Sequence, residues 1–316
     1  MGIFQSATLN DVYTQIEGKV VCIDPGHGGT AGIDDYRVGP TGEREEWINL
    51  RVALFLRDLL EREGVHVVMT REEDVQISLQ ERAQLAIDND ADVFISIHHN
   101  ATADSTVNFP IVYYHGNASE NRASVLLGEM VINRLQEYLF DKNTPVSLVS
   151  DHTIFPTAGT GVLRHAYGIP GIIAEASFFT NPEEEQRLKD EKYNKKEAEA
   201  FLYALKDFFS TDDLPEIKER YSKVRIEPFA VLQEEERMSK EALMWYDDFT
   251  KGKSLLEKRD TTSLQKAYDL LTRSARSFPD SYVAGMCHQL RAAILEKLDK
   301  EEDARRERKR VQEFYP

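Results

Sequence analysis

The sequence predicts an α/β fold with a mainly parallel sheet covered by helices on both faces, followed by a small all-α C-terminal unit. Over the first 210 residues, apolar β-type runs alternate with stretches of helical periodicity. Beyond them the chain is highly charged and only helical patterns remain. We therefore expect an N-terminal segment (1–19), an α/β domain (20–210), a linker (211–228) and a helical domain (229–316).

Five apolar runs are typical of buried strands, and they lie at 20–23, 65–70, 92–97, 111–114 and 171–174. The helices between them are expected at about 45–63, 78–88, 121–140 and 195–209, with a short helix that begins at Asn181-Pro182. Ser78 and Glu81 have the spacing of a capping box, and Gly64 is a C-cap signal. Residues 141–161 are rich in proline and glycine and are expected to be irregular.

Charge, hydropathy and cysteine content argue against a nucleic-acid partner, a transmembrane segment and a disulfide framework. The net charge is −16, and residues 1–210 account for −15 of it, with 33 acidic and 18 basic side chains. Nucleic-acid binding needs a basic face, so we expect no nucleic-acid partner. No apolar run approaches the ~20 residues of a membrane span, so we expect no transmembrane segment. The two cysteines, Cys22 and Cys287, are far apart and indicate no disulfide framework.

Polar residues follow three predicted strands at the point where each strand ends. His27 stands in a Pro-Gly-His-Gly-Gly turn, His98 follows the run 92–97, and Glu175 follows the run 171–174. Carboxyl ends of parallel strands meet at one sheet edge, where the first helix also begins and brings Glu45. Two imidazoles and a carboxylate that leave one position open are the pattern of a catalytic zinc site. The spacing itself is not a local metal signature.

Local periodicity favours Glu45 over its acidic neighbours Glu43 and Glu46. Position 45 lies three residues before Ile48, which belongs to the apolar stripe of the helix, whereas Glu46 lies on a mixed face. Consecutive strand residues point to opposite faces, so His98 and His99 are not expected to bind one metal together. Both faces of a central strand can be buried, and the pattern does not choose between the two histidines.

Four motifs in this order resemble the zinc-dependent N-acetylmuramoyl-L-alanine amidases of the Amidase_3 type, over about residues 20–209. They are Ile23-Asp24-Pro25-Gly26-His27-Gly28-Gly29, Glu45-x-x-x-Asn49-Leu50, Ser96-Ile97-His98-x-Asn100 and Glu175-x-x-Phe178-x-x-Asn181. Two shorter matches are Ser78-Leu79-x-x-Arg82 and Val162-Leu163-Arg164. His99 and Ser177 depart from the family, which usually has a small residue and glycine at these positions.

The resemblance implies one zinc ion held by His27, Glu45 and His98, with Glu175 as the catalytic carboxylate. It implies hydrolysis of the amide between N-acetylmuramic acid and L-alanine in peptidoglycan, and a place in the cell envelope, periplasmic or secreted, after removal of a signal peptide. Arg164 could hold a substrate carboxylate, although a plain salt bridge fits its guanidinium equally well. The segment 141–161, which carries His152, could form a flap near the site.

Two other functions stay open at this level. One is a non-catalytic envelope-binding or scaffold protein on the amidase fold, and the other is a zinc hydrolase of a different amide. Loss of a site residue would favour the first, but all four site residues are present. The sequence does not exclude the second.

The C-terminal helices are expected at about 233–251, 262–277, 281–297 and 300–313. Their alanine and leucine pattern weakly resembles tetratricopeptide-type helix pairs, and a small bundle packed on the main domain fits equally well. A lone repeat cannot bury its apolar face, so either interpretation requires contact with the main domain or with a protein partner.

Overall fold

The computed structural model describes residues 16–32, 37–116, 121–155, 158–166, 168–211, 240, 243–258, 260–279, 281 and 283–315. Almost all of the N-terminal segment and of the linker, and the expected helical start at 233–239, lie outside these residues. The predicted domain boundaries therefore stay predictions.

Six strands and six α-helices form the α/β part of the described chain. The strands are β1 (Val20–Pro25), β2 (His66–Met69), β3 (Val93–Asn100), β4 (Ile111–Tyr114), β5 (Ser147–Ser150) and β6 (Gly171–Phe178). The helices are α1 (Glu45–Arg62), α2 (Leu79–Asp88), α3 (Asn121–Leu139), α4 (Gly161–His165), α5 (Pro182–Leu188) and α6 (Glu191–Phe209).

The strands form one sheet in the order β2-β1-β3-β6-β4-β5. Every pairing is parallel except that of β4 with β6. One core lies between the sheet and the helices α1, α3 and α6, and a second lies on the opposite face beneath α2 and α4. The predicted fold class, a mainly parallel sheet covered on both faces, is confirmed.

The two central strands are longer than predicted. Strand β3 continues through His98 to Asn100, and β6 continues through Glu175 to Phe178. In the register of the sheet His98 is opposite Glu175, and a bulge separates His98 from Asn100. Polar residues at the end of an apolar run resemble a strand end, but here neighbouring strands pair with them. Both residues therefore lie within strands rather than at strand ends.

The prediction that residues 141–161 are irregular was wrong for Ser147–Thr153. Ser147–Ser150 forms the edge strand β5, which pairs with β4, and Asp151–Thr153 forms a 3₁₀ turn. Val149 is buried against the sheet, and this contact stabilises a strand too short to give a clear periodic pattern. Helix α6 begins four residues earlier than expected because Asp190 caps it, accepting a hydrogen bond from the Lys192 amide at 2.9 Å.

The capping signals in the sequence are confirmed. Ser78 and Glu81 form the reciprocal capping box of α2. Gly64 follows the last turn of α1 with a φ of 79°, the left-handed conformation that glycine adopts readily.

The C-terminal helices are α7 (Met244–Leu255), α8 (Thr261–Ser277), α9 (Ala284–Lys297) and α10 (Glu301–Phe314). Neighbouring helices of these four pack on one another, α7 on α8, α8 on α9 and α9 on α10, and they have an apolar core of their own that includes Trp245, Leu271 and Phe278. Helix α7 is described from Met244 onward, and the expected start at 233 lies outside the described residues. None of the helices in the described ranges is both long and apolar enough to cross a membrane.

A buried ion pair joins three elements at the carboxyl edge of the sheet. Arg82 of α2 donates to Asp24 at the end of β1 over 2.7 Å. The hydroxyls of Thr70 and Ser96 donate to the two carboxylate oxygens at 2.6 Å each. Burial by itself raises the pKa of Asp24, but Arg82 and the two hydroxyls outweigh it and hold that pKa below its ordinary value.

We predict that Asp24→Asn lowers the free energy of unfolding by about 3–5 kcal/mol at neutral pH, because it leaves Arg82 buried without its counter-charge. A carboxylate with a depressed folded-state pKa stabilises the fold above its unfolded pKa, about 3.9, and loses this effect as the pH falls through the folded value. The stability difference between wild type and variant should therefore shrink below about pH 4. Denaturant unfolding at several pH values measures it.

The matched control is Asp88→Asn at the exposed end of α2, where the carboxylate accepts a hydrogen bond from Gln84 at 2.7 Å. It should change stability by less than about 0.5 kcal/mol. Equal effects of the two substitutions at neutral pH would contradict the role given to the buried pair.

Candidate active site

The loop that carries His27 is held by two buried arginines. Arg82 donates to the carbonyl of His27 at 2.6 Å, and Arg71 donates to the carbonyls of Pro25 and Gly26 at 2.9 Å each. His27 has a φ of 59°, in the left-handed region that non-glycine residues rarely adopt. The arginines therefore fix a strained turn that directs the His27 ring toward the neighbouring strand.

His98, within β3, lies against this turn. A Cβ atom on Gly26 would come within 2.2 Å of His98 Nε2, so only glycine permits the close approach of the turn to the ring. His98 Nε2 lies 3.1 Å from the hydroxyl of Ser96, which in turn donates to Asp24. This contact orients the ring and leaves its Nδ1 atom toward Glu45.

Glu45, the first residue of α1, completes a compact group with the two histidines. Its Oε1 atom lies 3.2 Å from His27 Nε2 and 3.0 Å from His98 Nδ1. The three potential ligand atoms all lie within 4.8 Å of one another. Asn49, one turn further along α1, donates to Glu45 Oε1 and to the Gly26 carbonyl at 3.2 Å each. It ties the helix to the turn.

The pKa shifts of His27 and Glu45 favour the forms in which these side chains bind metals. Burial, together with the neighbouring Arg37 guanidinium, lowers the pKa of His27 well below its ordinary value, which leaves a neutral imidazole at neutral pH. Burial by itself raises the pKa of Glu45, but the interactions with His27 and His98 hold it well below the ordinary value. A neutral imidazole and an ionised carboxylate are ligand forms.

The donor set therefore fits zinc. Two imidazole nitrogens and one carboxylate oxygen converge and leave a further position open, as catalytic zinc sites do. The contact from His98 to Ser96, and from Ser96 to Asp24, is the outer support that metal-binding histidines usually have.

Glu175 lines the same cavity as His27 and His98. The cavity measures about 80 Å³, and Glu175 is 4% exposed. Its place opposite His98 in the register of β3 and β6 explains how residues so distant in sequence converge. The carboxylate is thus beside the potential metal ligands without belonging to their compact group.

The competing side chains face elsewhere. Glu46 accepts hydrogen bonds from Arg44 at 2.6 Å and from Thr30 at 3.0 Å. The ring of His99 lies on the opposite face of β3, between Asn49 at 2.8 Å and Glu197 at 3.2 Å. These placements agree with the helical periodicity and strand alternation read from the sequence.

Arg164 lies in a groove of about 400 Å³ beside the catalytic cavity, rather than in the cavity itself. Its guanidinium donates to the carbonyls of Ala158 and Gly159 at 3.2 and 3.4 Å. Among the described residues no carboxylate is within ion-pair distance of it. A role in substrate binding stays a prediction.

Part of the segment 141–161 borders the candidate site, and its role as a flap stays a prediction. Ile154, Phe155 and Thr160 line the catalytic cavity. The buried Asp151 fixes the segment, because it accepts from the Thr160 amide at 2.7 Å and contacts His115 Nδ1 at 2.8 Å. The side chains of His115, Asp151 and His152 are also close enough together to hold a metal ion. The Asp151 carboxylate, however, already accepts the hydrogen bond from the Thr160 amide and contacts His115.

Sequence reasoning missed Arg37. Its Nε donates to His27 Nε2 at 3.0 Å and lies 3.6 Å from Glu45 Oε2. Arg37 stands in a polar loop without periodicity, and no sequence signal distinguishes it from a solvated side chain. Sequence reasoning noted Asn49 only as part of a motif and did not assign it a role. Its position four residues after Glu45, one helical turn away, was the signal that the two side chains can contact each other.

Comparison with known proteins places residues 21–207 in the family described as Amidase_3, N-acetylmuramoyl-L-alanine amidase. The N-acetylmuramoyl-L-alanine amidase AmiA of Salmonella typhimurium is 29% identical over 225 residues, which cover 60% of this chain and 76% of that protein. The YqiI protein of Bacillus subtilis is 33% identical over 197 residues, with 61% and 86% covered. The four C-terminal helices lie outside the family match.

Comparison with solved structures also finds amidases. An N-acetylmuramoyl-L-alanine amidase from Clostridium difficile 630 has a TM-score of 0.53 at 30% identity and covers 61% of this chain and 98% of its own. The CwlD amidase of Clostridioides difficile, solved in complex with the GerS lipoprotein, has a TM-score of 0.53 at 27% identity and covers 62% and 100%. The family predicted from the sequence is confirmed: the chain belongs to the Amidase_3 family of N-acetylmuramoyl-L-alanine amidases.

Proposed function

We propose that this protein is a zinc-dependent peptidoglycan amidase that hydrolyses the amide between N-acetylmuramic acid and L-alanine. The observation that carries the proposal is the convergence of His27, Glu45 and His98 within 4.8 Å, with Glu175 on the wall of the same cavity. Family membership supports the reaction and the substrate class.

In this proposal His27, Glu45 and His98 hold the zinc ion. Bound zinc would polarise the amide carbonyl and lower the pKa of water to about 7. The buried Glu45 carboxylate offsets part of the metal charge, while Ser96 and Arg82 keep the two imidazoles in place. The low exposure of the group strengthens each of these electrostatic interactions.

Glu175 is proposed as the general base and then the general acid. It takes a proton from the attacking water, whose oxygen bonds to the lactyl carbonyl carbon. It then delivers that proton to the nitrogen of L-alanine as the C–N bond breaks. The products are a carboxylic acid on the muramic acid and a peptide with a free amine.

The surface around Arg164, on the α/β side of the adjacent groove, suits the rest of the substrate. Arg164 is partly exposed there, and its remaining donors can bind a carboxylate of the stem peptide. Because the substrate lies outside the cytoplasm, we propose an extracytoplasmic location in the cell envelope, periplasmic or secreted. The C-terminal helices are proposed to support binding or positioning, through a protein partner or by bracing the main domain.

We predict one zinc ion per chain in the wild-type protein and loss of most of that zinc in His98→Ala. The substitution removes one of three protein ligands, and the remaining two bind the metal weakly. Elemental analysis after gel filtration measures the metal content. His66→Ala, at an exposed position on β2, is the control and should keep its zinc. A fully loaded His98→Ala protein would show that the metal lies elsewhere.

We further predict that Glu175→Gln keeps zinc but loses activity by about 10²–10⁴-fold, because an amide cannot accept the proton of the attacking water. Mass analysis of digested muropeptides measures the rate. Glu183→Gln, on the exposed first turn of α5, should retain wild-type activity. Unchanged activity in Glu175→Gln would assign the base to another group, and Glu46 is already engaged by Arg44 and Thr30.

A further inference from the structure

The end of the last helix lies over the catalytic cavity. The ring of Phe314 is 6.0 Å from the ring of His27 between centroids, and the Arg37 guanidinium is 5.8 Å from the Phe314 centroid. Phe314 also lines the cavity that contains His27, His98 and Glu175. A residue of the C-terminal helices therefore forms part of the wall of the candidate active site.

With Phe314 in place, the cavity is too small for the proposed substrate. Its volume of about 80 Å³ is well below the roughly 300–1,000 Å³ of ordinary small-molecule sites. The other walls do not offer an easy expansion, since Tyr113, Ile154 and Ile173 are buried members of the core on that side of the sheet. Access of a sugar joined to a peptide to Glu175 therefore requires part of the cavity wall to move, and Phe314 is the wall residue that belongs to the C-terminal helices.

Phe314 is firmly attached to the helices that carry it. The next residue, Tyr315, donates its hydroxyl hydrogen to the carbonyl of Pro279 and packs its ring 5.3 Å from the ring of His288. His288 is buried, and its Nδ1 lies 2.6 Å from Glu307 of α10. The aromatic end of the chain is thus part of the packed C-terminal unit, and Phe314 moves with that unit.

Besides the contacts of Phe314, this end is joined to the catalytic part by contacts that are polar or partly exposed. Gln76 donates to the Glu313 carboxylate at 2.6 Å in an exposed position, and the rings of Phe155 and Tyr315 lie 6.5 Å apart between centroids. Exposed hydrogen bonds and isolated ring contacts are individually weak. Contacts of this kind can break without unfolding either part, since each part has an apolar core of its own.

We propose that the end of α10, with Phe314 as its plug, is an autoinhibitory cap on the catalytic cleft. The closed cap excludes the substrate, and displacement of the C-terminal unit admits it. The inference rests on the proposed amidase function for its substrate, but the closed contact can be tested separately. Such a cap makes the C-terminal unit a control element, in addition to the supporting role proposed above.

The first test measures turnover of a soluble muropeptide by the full-length, zinc-loaded protein. Phe314→Ala should raise kcat/KM on the order of tenfold, mostly through KM, because apparent affinity scales with the fraction of molecules that are open. Arg305→Ala, at an exposed position on the same helix, is the control and should leave kcat/KM unchanged. A lower kcat/KM in Phe314→Ala would make Phe314 a substrate-binding residue and would overturn the cap.

A pair of substitutions at Gln76 tests the same contact without altering the helices. Gln76→Glu places a carboxylate against Glu313 and should open the cap, whereas Gln76→Lys places an ammonium there and should close it further. The two variants should therefore shift KM in opposite directions, by about two- to fivefold each. Shifts in the same direction would show that position 76 acts on substrate rather than on the cap.

Cross-linking gives a measurement that depends on neither activity nor zinc. The double variant Gln76→Cys with Glu313→Cys can be bridged by a short, reducible bismaleimide, since the native Cys22 and Cys287 are buried. A closed cap predicts efficient bridging within one chain, which Phe314→Ala reduces. In zinc-loaded protein the bridge should slow metal extraction by a chelator, and cleavage of the bridge should restore the rate.

These measurements separate the two proposals. Efficient bridging in a protein that cleaves no muropeptide would leave the cap standing and remove the proposed amidase activity. Activity with no bridging, or with no effect of the bridge on turnover, would overturn the cap and keep the amidase.

Discussion

The buried pair of Asp24 and Arg82 is the interaction on which the site depends. Asp24 lies one residue before the end of β1, Arg82 belongs to α2, and the hydroxyl of Ser96 brings β3 into the same network. Removing two charges from water is costly, and the Coulombic attraction offsets this only when further hydrogen bonds satisfy both partners. Here Asp24 has two hydroxyl donors, and Arg82 also donates to backbone carbonyls, including that of His27.

The consequence of this network is a rigid site. The strained turn at His27 persists because its carbonyls are held by arginines, and the ring of His98 can approach it only because residue 26 is glycine. Glu45 begins a long helix whose apolar stripe packs on the sheet, so its carboxylate starts from a fixed position. Each side chain is thus supported by an element that the core stabilises independently, which is what a preorganised metal site requires.

The opposite side of β3 shows how the departure from the family is accommodated. The buried His99 lies between Asn49 of α1 and Glu197 of α6, so three elements meet around a polar contact. Asn49 also donates to Glu45. The histidine that looked like an alternative ligand is therefore linked to the site through the residue that positions Glu45, while its own ring faces away from the cavity.

The C-terminal helices contribute a residue, Phe314, to the wall of the candidate active site. They have their own apolar core, and their contacts with the catalytic part include aromatic residues at the rim of the cavity. The sequence requires these helices to contact either the main domain or a protein partner, and contacts with the main domain are present. Whether they form a tetratricopeptide-type array stays a prediction, since the family match ends at residue 207.

Much of the site was determined by the sequence, because it depends on local periodicity. The 3.6-residue repeat from Ile48 back to Glu45, and the alternation of His98 and His99, are properties of short segments that survive folding unchanged. The fold class followed in the same way from alternating strands and helices. The four-residue strand β5 escaped prediction because its stability comes from pairing with β4 and from burial of Val149, not from its own pattern.

Only the tertiary structure decided the remaining contacts of the cavity. Arg37 reaches His27 from a loop without periodicity, and Phe314 reaches it from a helix 287 residues later in a sequence of 316. Neither residue belongs to a motif, and both are placed by how separate elements pack. Periodicity shows which face of an element is buried, but it carries no information about which distant element covers that face. The candidate ligands could therefore be proposed from the sequence and its family resemblance, whereas the residues that cover them could not.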